Sequence, residues 1–576
     1  MLVYRDAGRR ADASVEFARL DALFARLADQ PDRDLATEAL IEAGVVEAAA
    51  VDAANPDRDG FGPREAAWRK LGLEAGRLFR FTRRADPAGA RRCATRARRL
   101  LAEAKVLTRD TTLNLRTPEG YAWHGLYPET YLEAAERFLQ SSAPLPVVVI
   151  GLRGIGTSLS VVVAAALEAA GRRVETLTVR PRGEPPAREV RLDRRLEQRL
   201  ARAAEAGAWF LIVDEGPGLS GSSFDATAGA LNRLGAGDEQ IVLFPGVVSD
   251  GRGLSSPSAR ERWSRRRKVQ VSFESLRDTL APGLQHARDL SGGLWREVLS
   301  PDLEHPAVAP QHERRKYLSP DGAVLYRYAG LGRPGRERLA RAGTLAAAGL
   351  TPEPKSFADG FLGTEFVRGR SLHARRRDPE AIAHAAGYVA WLGRNARTGA
   401  ALTGDELVPM ILRNVGLSLG QAGLSRLGGL ESWRRRLAGA PAVAIDGRLA
   451  PHEWVRSDAK TGSRLYKTDA LDHHDDHFLP GDTDIAWDVA GFTAEWSLDD
   501  ATASDFARTV ADAASDPGLT LRLPFYETAY LAFRTGWTHL SASTMTAGPD
   551  RRGLERQKAR YQALLDRSLE RLAAAT

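Results

Sequence analysis

Apolar residues recur along the chain with two periods, and each period predicts its own kind of element. In SVEFARLDALFARLADQ, Phe17, Leu20, Phe24 and Leu27 fall on one face at helical spacing. A similar pattern follows in REAAWRKLGLEAGRLFRF. The sequence therefore predicts a helical region over residues 1–115 that packs as a layer or cap.

Short β-branched runs alternate with helical patterns from about residue 117. The runs are PVVVIG, VETLTVR, WFLIV and QIVLFPG. Strands that alternate with helices predict a doubly wound parallel sheet, and such sheets bind ligands beyond the carboxyl ends of their strands. We assign this unit to residues 116–260.

A third unit differs in pattern. A charged, Gly/Ser/Pro-rich stretch predicts a linker over residues 261–310, and RRKYLSPDGAVLYRYAG then predicts a β-hairpin that turns at Pro320-Asp321-Gly322. The remainder is mostly helical, which indicates an α+β unit over residues 311–576. The expected fold class is α/β multidomain, with a doubly wound parallel sheet, an α+β unit and an N-terminal helical region.

Composition narrows the class of protein. The 576 residues are too many for one core, and 43% hydrophobic with 27% charged residues is typical of globular proteins in water. A net charge of +7 is mild for this length, so nucleic acid is an unlikely partner. Cys93 is the only cysteine, which excludes an intrachain disulfide and favours the cytoplasm. We expect neither a secretory signal nor a membrane span.

The stretch VDEGPGLSGSS carries the first candidate site. An apolar strand runs into Asp214 and Glu215, and Gly216–Ser223 follows before a helical pattern. Backbone N–H groups at a helix start bind phosphate, and glycine lets the ligand approach closely. Adjacent carboxylates suit sugar hydroxyls or Mg²⁺. Together these features predict a site for a phosphorylated ribose.

This stretch resembles the phosphoribosyl pyrophosphate (PRPP) signature of type I phosphoribosyltransferases. GLRGIGTS, after the first strand, resembles the family's pyrophosphate loop, and RPRGEPPAR occupies the place of its lid. The resemblance implies Mg²⁺-dependent transfer of phosphoribose from PRPP to a nucleobase or other small acceptor. Asp214 and Glu215 would hold the ribose hydroxyls and Mg²⁺, while Arg153 draws charge from the leaving pyrophosphate. The implied PRPP contacts are Gly154, Ile155, Gly156, Thr157, Ser158, Arg180, Arg182, Gly216, Pro217, Gly218, Leu219, Ser220, Gly221, Ser222 and Ser223.

A second resemblance covers the third unit. AIDGRLAPHEW, RLYKTD and DTDIAWDVAGF follow the order of motifs in small-molecule kinases of the aminoglycoside phosphotransferase and choline kinase type. This resemblance implies ATP as a further ligand and Asp469 as a second Mg²⁺ ligand. The implied kinase-like residues are Arg327 as the phosphate-binding cation, Glu337 as its partner, Asp446 in the catalytic loop, Asp469 at a strand end and Asp488 as a structural acid.

The kinase-like pattern also departs from that family. Arginine stands where a lysine is expected, Ala444-Ile445-Asp446 replaces His-Gly-Asp, and His452 or Glu453 lies near the place of a metal-binding asparagine. Arginine and lysine are not equivalent at a phosphate site. Whether the unit transfers phosphate is therefore left open.

Two further groups of residues have alternative interpretations. The run Asp472–His477 is either a metal site next to Asp469 or a solvated polar loop. Tyr121, Trp123, His124 and Tyr127 either stack on a base or pack into a core.

Three functions remain open at this point. The first is a PRPP-dependent transferase fused to a kinase-like domain. The others are a regulator that binds nucleotide or PRPP without turnover, and a small-molecule kinase with an accessory phosphoribosyl-binding domain.

Overall fold

The computed structural model begins with a helical region, as the periodicity predicts. It describes residues 8–247, 249–298, 306–373, 378–427, 429–458, 463–471, 473–476 and 478–575. Strand β1 pairs antiparallel with β2, so the two ends of the helical region meet. The side chains of Asp12, Asp32 and Asp86 accept hydrogen bonds from first-turn N–H groups, which fixes three helix starts. The elements are β1 (Arg9–Asp12), α1 (Ala13–Asp29), α2 (Arg33–Ala54), α3 (Pro63–Arg83), α4 (Pro87–Leu107) and β2 (Thr112–Leu115).

A five-stranded parallel sheet follows, in the order β4-β3-β5-β6-β7. The chain starts in the interior of the sheet and moves first to one side and then to the other. The order therefore reverses between β3 and β5, where a crevice opens at the carboxyl ends of the strands. The elements are α5 (Pro128–Gln140), β3 (Val147–Leu152), α6 (Gly156–Ala169), β4 (Val174–Val179), α7 (Arg194–Glu205), β5 (Trp209–Asp214), α8 (Ser222–Arg233), β6 (Ile241–Pro245), α9 (Pro257–Arg265) and β7 (Arg267–Lys268).

The parallel sheet is buried on both faces. Val147 and Val149 of β3 belong to a core shared with the N-terminal helices, whereas Val148 and Ile150 belong to a core shared with α7 and α8. Successive side chains of a strand point to opposite faces, so neither face is left to solvent. The predicted mixed α/β class, with a parallel sheet and helical regions, is confirmed.

An antiparallel sheet begins the C-terminal unit, which extends from β8 onward. Its order is β11-β12-β10-β9-β8, with a helix between its third and fourth strands in sequence. The predicted hairpin is confirmed, since β9 pairs with β10 and Gly322 adopts a φ of 67° in the turn. The elements are α10 (Phe273–Leu280), β8 (Arg288–Asp289), β9 (Lys316–Leu318), β10 (Val324–Tyr328), α11 (Arg333–Ala347), β11 (Pro354–Ala358) and β12 (Phe361–Glu365).

The stretch predicted as a linker, residues 261–310, differs from that prediction. It contributes β7 to the parallel sheet and β8 to the antiparallel sheet. Both strands are two residues long and charged, so they have no apolar alternation to reveal them.

Helices form most of the rest of the C-terminal unit. They pack around Trp487 and Tyr530, whose rings meet edge to face at 5.3 Å. No helix within the described ranges is long and apolar enough to cross a membrane. The elements are β13 (Gly369–Ser371), α12 (Pro379–Asn395), β14 (Arg397–Ala401), α13 (Val408–Ser425), α14 (Leu430–Leu437), β15 (Pro441–Val443), β16 (Trp454–Ser457), β17 (Leu465–Lys467), α15 (Ala486–Glu495), α16 (Asp500–Ala514), α17 (Leu519–Ser543) and α18 (Pro549–Ala574).

A π-helical segment, Gly120–His124, connects the two units. The Tyr121 carbonyl accepts hydrogen bonds from Leu331 N at 3.0 Å and from the Tyr328 hydroxyl at 2.6 Å. Tyr121 and Trp123 are buried, and so is Tyr127. These aromatic residues therefore favour the core interpretation over a base-stacking site.

Candidate functional site

Three acids from separate segments of the C-terminal unit converge. Asp446 follows β15, Asp469 follows β17, and Asp488 lies in the first turn of α15. The Asp488 carboxylate accepts hydrogen bonds from the backbone N–H groups of Asp446 and Gly447, both at 2.8 Å. Burial raises the pKa of Asp488 to about 7, and the nearby Asp446 charge adds to this. Asp488 thus fixes the start of the Asp446 loop (Asp446–Glu453).

The Asp446 carboxylate is enclosed by donors. It accepts a hydrogen bond from the Tyr388 hydroxyl at 2.7 Å, and Lys467 Nζ lies 3.3 Å away. On its other oxygen, His473 Nδ1 lies at 3.4 Å. Burial alone would lower the pKa of His473, but the charges of Asp469 and Asp446 outweigh burial and raise it. His473 therefore links the two acids.

Asp469 lies at the mouth of this cluster and forms an ion pair with Arg327. Burial alone would raise the pKa of Asp469, but Arg327 and His473 hold it well below its ordinary value. Glu453, Asp469 and His473 each offer one ligand atom, and these atoms lie within 4.8 Å of one another. The two carboxylates fit Mg²⁺, whereas an imidazole is a ligand of transition metals.

Glu453, one of the two residues near the place of the expected asparagine, is buried beside the acid cluster. Its carboxylate accepts from Arg448 at 2.6 Å and from Lys467 at 2.9 Å. Burial alone would raise the pKa of Glu453, but these two cations lower it to about 2. His452 instead stacks on Trp295, with ring centroids 5.4 Å apart.

The predicted pairing of Arg327 with Glu337 is wrong. The Glu337 side chain is 64% exposed, and its nearest cation is Arg333 at 4.0 Å. Glu337 lies on the outward face of α11. The inward face carries Arg341, whose guanidinium donates to three backbone carbonyls beside the acid cluster, at 3.1 to 3.2 Å.

The run Asp472–His477 does not act as one site. Asp472 and His477 lie outside the described residues. Among the others, His473 joins the ligand group of Asp469, whereas Asp475 and Asp476 pair with arginines.

A second site lies at the carboxyl end of β5. Asp214 and Glu215 are half-buried there, and no ion pair to either side chain occurs among the described residues. Burial raises the pKa of Asp214 to about 7, opposed by backbone N–H groups. Burial, together with the charges of Glu119 and Asp214, raises the pKa of Glu215 to about 8. The acid pair therefore has no ion-pair partner among the described residues, and the more distant charges of Arg180 and Arg188 offset the burial of Asp214 only in part.

The loop after β3 faces this acid pair. A Cβ atom added to Gly156 would lie 2.5 Å from the Val213 carbonyl oxygen and 3.2 Å from Asp214 Oδ1. Gly156, one of the predicted PRPP contacts, therefore lies against the end of β5 beside the acids. The Ser158 hydroxyl, however, turns inward and lies 2.9 Å from the Tyr121 hydroxyl.

The loop Gly216–Ser223, predicted to bind phosphate, contains two glycines in the left-handed region. Gly218 and Gly221 adopt φ values of 58° and 73°, which other residues rarely adopt. Helix α8 begins directly afterwards, and its N-cap residue Gly221 offers no side-chain hydrogen bond to the first turn. Arg188, from the segment between β4 and α7, donates to Ser223 Oγ at 2.5 Å.

The cations predicted to bind pyrophosphate have internal partners instead. Arg153 is fully buried, donates to Asp52 at 2.7 Å and pairs with Asp59, so its predicted role at pyrophosphate is wrong. Arg180 pairs with Asp52, and Arg182 lies 3.0 Å from Asp59. Both acids come from the N-terminal helical region, which thereby neutralises this side of the crevice.

Sequence reasoning missed Lys467 and Tyr388, which hold Asp446, and it missed Asp52 and Asp59. Lys467 had one signal, since a lysine two residues before Asp469 on a short strand shares a face with it. The other three residues carried none.

No protein-family model and no curated protein matches the sequence. Solved structures that are similar over about half of the chain include proteins of the choline and ethanolamine kinase type. A choline/ethanolamine kinase family protein from Mesorhizobium loti is 17% identical, with a TM-score of 0.33, over 45% of this chain and 90% of its own. The choline kinase LicA from Streptococcus pneumoniae is 14% identical, with a TM-score of 0.33, over 52% and 99%. An ethanolamine kinase from Plasmodium vivax is 12% identical, with a TM-score of 0.30, over 44% and 79%.

Proposed function

We propose that the chain is a Mg²⁺-dependent phosphotransferase that moves the terminal phosphoryl group of ATP to a small molecule. The convergence of Asp446, Asp469 and Asp488 with Arg327 in one cluster carries this proposal. Phosphoryl transfer depends mainly on positioning and on neutralising charge, and such a cluster can supply both.

Each member of the cluster has a distinct part. Arg327 exchanges the Asp469 carboxylate for phosphate oxygens, because a guanidinium binds either group by the same paired hydrogen bonds. A Mg²⁺ ion held by Asp469 and Glu453 would neutralise charge on the phosphates. The Asp446–His473 pair takes up the proton of the acceptor hydroxyl.

Nucleotide binding and transfer can be measured on the full chain. Mg²⁺–ATP should raise the unfolding temperature, and labelled phosphate should enter a product when a metabolite extract is added. Asp469→Asn should remove both effects, whereas Asp505→Asn, an exposed surface change, should preserve them. Stabilisation by Mg²⁺–ATP that survives Asp469→Asn would contradict the proposal, as would its absence from the unaltered chain.

A second function is favoured by the acid pair at β5, which has no ion-pair partner among the described residues. We propose that the crevice binds a ribose phosphate. The raised pKa values of Asp214 and Glu215 suit hydrogen bonds to sugar hydroxyls better than coordination of Mg²⁺. Because Asp52 and Asp59 neutralise the neighbouring arginines, the crevice is better matched to one phosphate than to a pyrophosphate.

Calorimetric titration distinguishes this binding role from transfer out of PRPP. Ribose 5-phosphate and PRPP should bind with similar affinity, and Asp214→Asn should weaken both. Much tighter binding of PRPP, together with pyrophosphate release in the presence of nucleobases, would favour the transferase instead.

A further inference from the structure

A cavity of about 840 Å³ adjoins the acid cluster. Arg448, Glu313 and Arg534 line it and also line the smaller cavity that contains Asp469. The volume is within the usual range for small-molecule sites. A molecule in the larger cavity could therefore extend one end to the site proposed for phosphoryl transfer.

The aromatic faces in this cavity already have cations over them. The Arg534 guanidinium carbon lies 5.1 Å from the Trp537 ring centroid and 5.0 Å from that of Tyr561. Lys316 Nζ lies 5.7 Å from the Trp295 ring. A ligand with a quaternary or primary ammonium group would have to place that group over the same ring faces. The cavity is therefore a poor receptor for a cationic acceptor.

Most of the charged groups in the wall are paired with one another. Arg296 pairs with Asp550 at 2.7 Å, and Arg534 lies 3.1 Å from Glu495. Glu313 pairs with Lys316 of the adjoining cavity. These pairs contribute almost no net charge to the cavity.

Two arginines of α18 are different. Arg556 and Arg560 stand one helical turn apart, and both line the cavity. Neither lies within 4.0 Å of a carboxylate in the described part of the chain. Arg560 donates to the Ala494 carbonyl and to Ser497 Oγ, the latter at 2.9 Å, and its charge lowers the pKa of the more distant Glu495. Because Glu495 is already paired with Arg534, Arg556 and Arg560 leave a net positive charge on one wall. Guanidinium groups bind carboxylate and phosphate with strong, paired hydrogen bonds.

We propose that the phosphoryl acceptor carries an anionic group, a carboxylate or a phosphate, which Arg556 and Arg560 bind while an acceptor hydroxyl reaches the Asp446 cluster. This assignment rests on the proposed phosphotransferase function. The proposed acceptor differs in charge from choline and ethanolamine, the named substrates of the similar kinases, which carry an ammonium group.

Four hexose-sized probes test the assignment by calorimetric titration of the full chain. Gluconate and glucose 6-phosphate should bind. The tighter binder of the two shows whether the site prefers a carboxylate or a phosphate. Glucose and glucosamine should bind at least about tenfold more weakly, because they lack the charge-assisted hydrogen bonds. Arg556→Gln and Arg560→Gln should each weaken the anions about tenfold, whereas Arg552→Gln, on the same helix and outside the cavity, should not.

Three results would overturn the assignment: glucosamine binding as well as the anions, anion binding unchanged in both cavity variants, or no binding of any probe. Stabilisation by Mg²⁺–ATP, measured on the same samples, separates this from the proposed function. Suppose that anions bind in a way that depends on Arg556 and Arg560, but Mg²⁺–ATP does not raise the unfolding temperature. That result would support the anion site and contradict the proposed phosphotransferase function.

Discussion

Replacing Asp214 by asparagine should stabilise the parallel sheet at pH 8 and have little effect near pH 4. The folded pKa of about 7 exceeds the ordinary value of 3.8 because the side chain is desolvated. Well below pH 3.8 the Asp214 carboxyl group is protonated in both the folded and the unfolded chain, so its raised pKa does not affect the free energy of unfolding. As the pH rises toward 7, the unfolded chain ionises first, so the folded state loses stability over that interval.

The size of the effect follows from the same two values. A shift from 3.8 to about 7 corresponds to about 4 kcal/mol at about 1.4 kcal/mol per pH unit. Asp214 is only half-buried, so solvent screening reduces this to about 1–2 kcal/mol. Asparagine has nearly the same shape and can still accept from the backbone, so the gain should be close to that figure.

Hydrogen exchange of the β5 amides measures the free energy of opening this sheet at pH 5 and pH 8. The difference between Asp214→Asn and the unaltered chain should grow with pH. Glu205→Gln, an exposed change at the end of α7, should show no such growth. A gain that is absent, or equal at both pH values, would refute the claim that burial of Asp214 outweighs the groups that favour its ionised form.

Three further changes test the packing around the two sites, each by calorimetric unfolding. Arg153→Met should cost about 1–3 kcal/mol because it removes one of the two arginines that pair with the buried Asp59 carboxylate, and no measurable loss would argue against the ion pair. Gly156→Ala should cost about 1–3 kcal/mol because its Cβ would press on a β5 carbonyl, whereas Gly229→Ala, in open space on α8, should be neutral or stabilising. Asp488→Ala should cost about 1–3 kcal/mol for each of the two N–H groups left unpaired and should abolish phosphoryl transfer. Full activity would contradict the claim that Asp488 holds the Asp446 loop in place.

The sequence predicted what short-range patterns encode. Apolar runs of five or six residues revealed β3 to β6, and Pro-Asp-Gly revealed the β9–β10 turn. Motif order singled out Asp446, Asp469 and Asp488, and the structure brings these three residues into one cluster. The two-residue strands β7 and β8 were not predicted because they are too short to show an alternation of apolar and polar residues.

Long-range partners could not be predicted. The sequence around Arg153 is typical of a ligand-binding cation, but the Arg153 guanidinium forms an ion pair with Asp59, about ninety residues earlier. Arg327 likewise pairs across the unit with Asp469, while Glu337 faces away on its own helix. Ion pairs of this kind depend on how elements dock, and local sequence does not specify that docking.

A crystal structure of the full chain with Mg²⁺ and a non-hydrolysable ATP analogue tests the central claim most directly. The account predicts a metal ion about 2.1 Å from carboxylate oxygens of Asp469 and Glu453, with Arg327 turned from Asp469 to the phosphates. Nucleotide bound elsewhere, with the Arg327–Asp469 pair still closed, would contradict it.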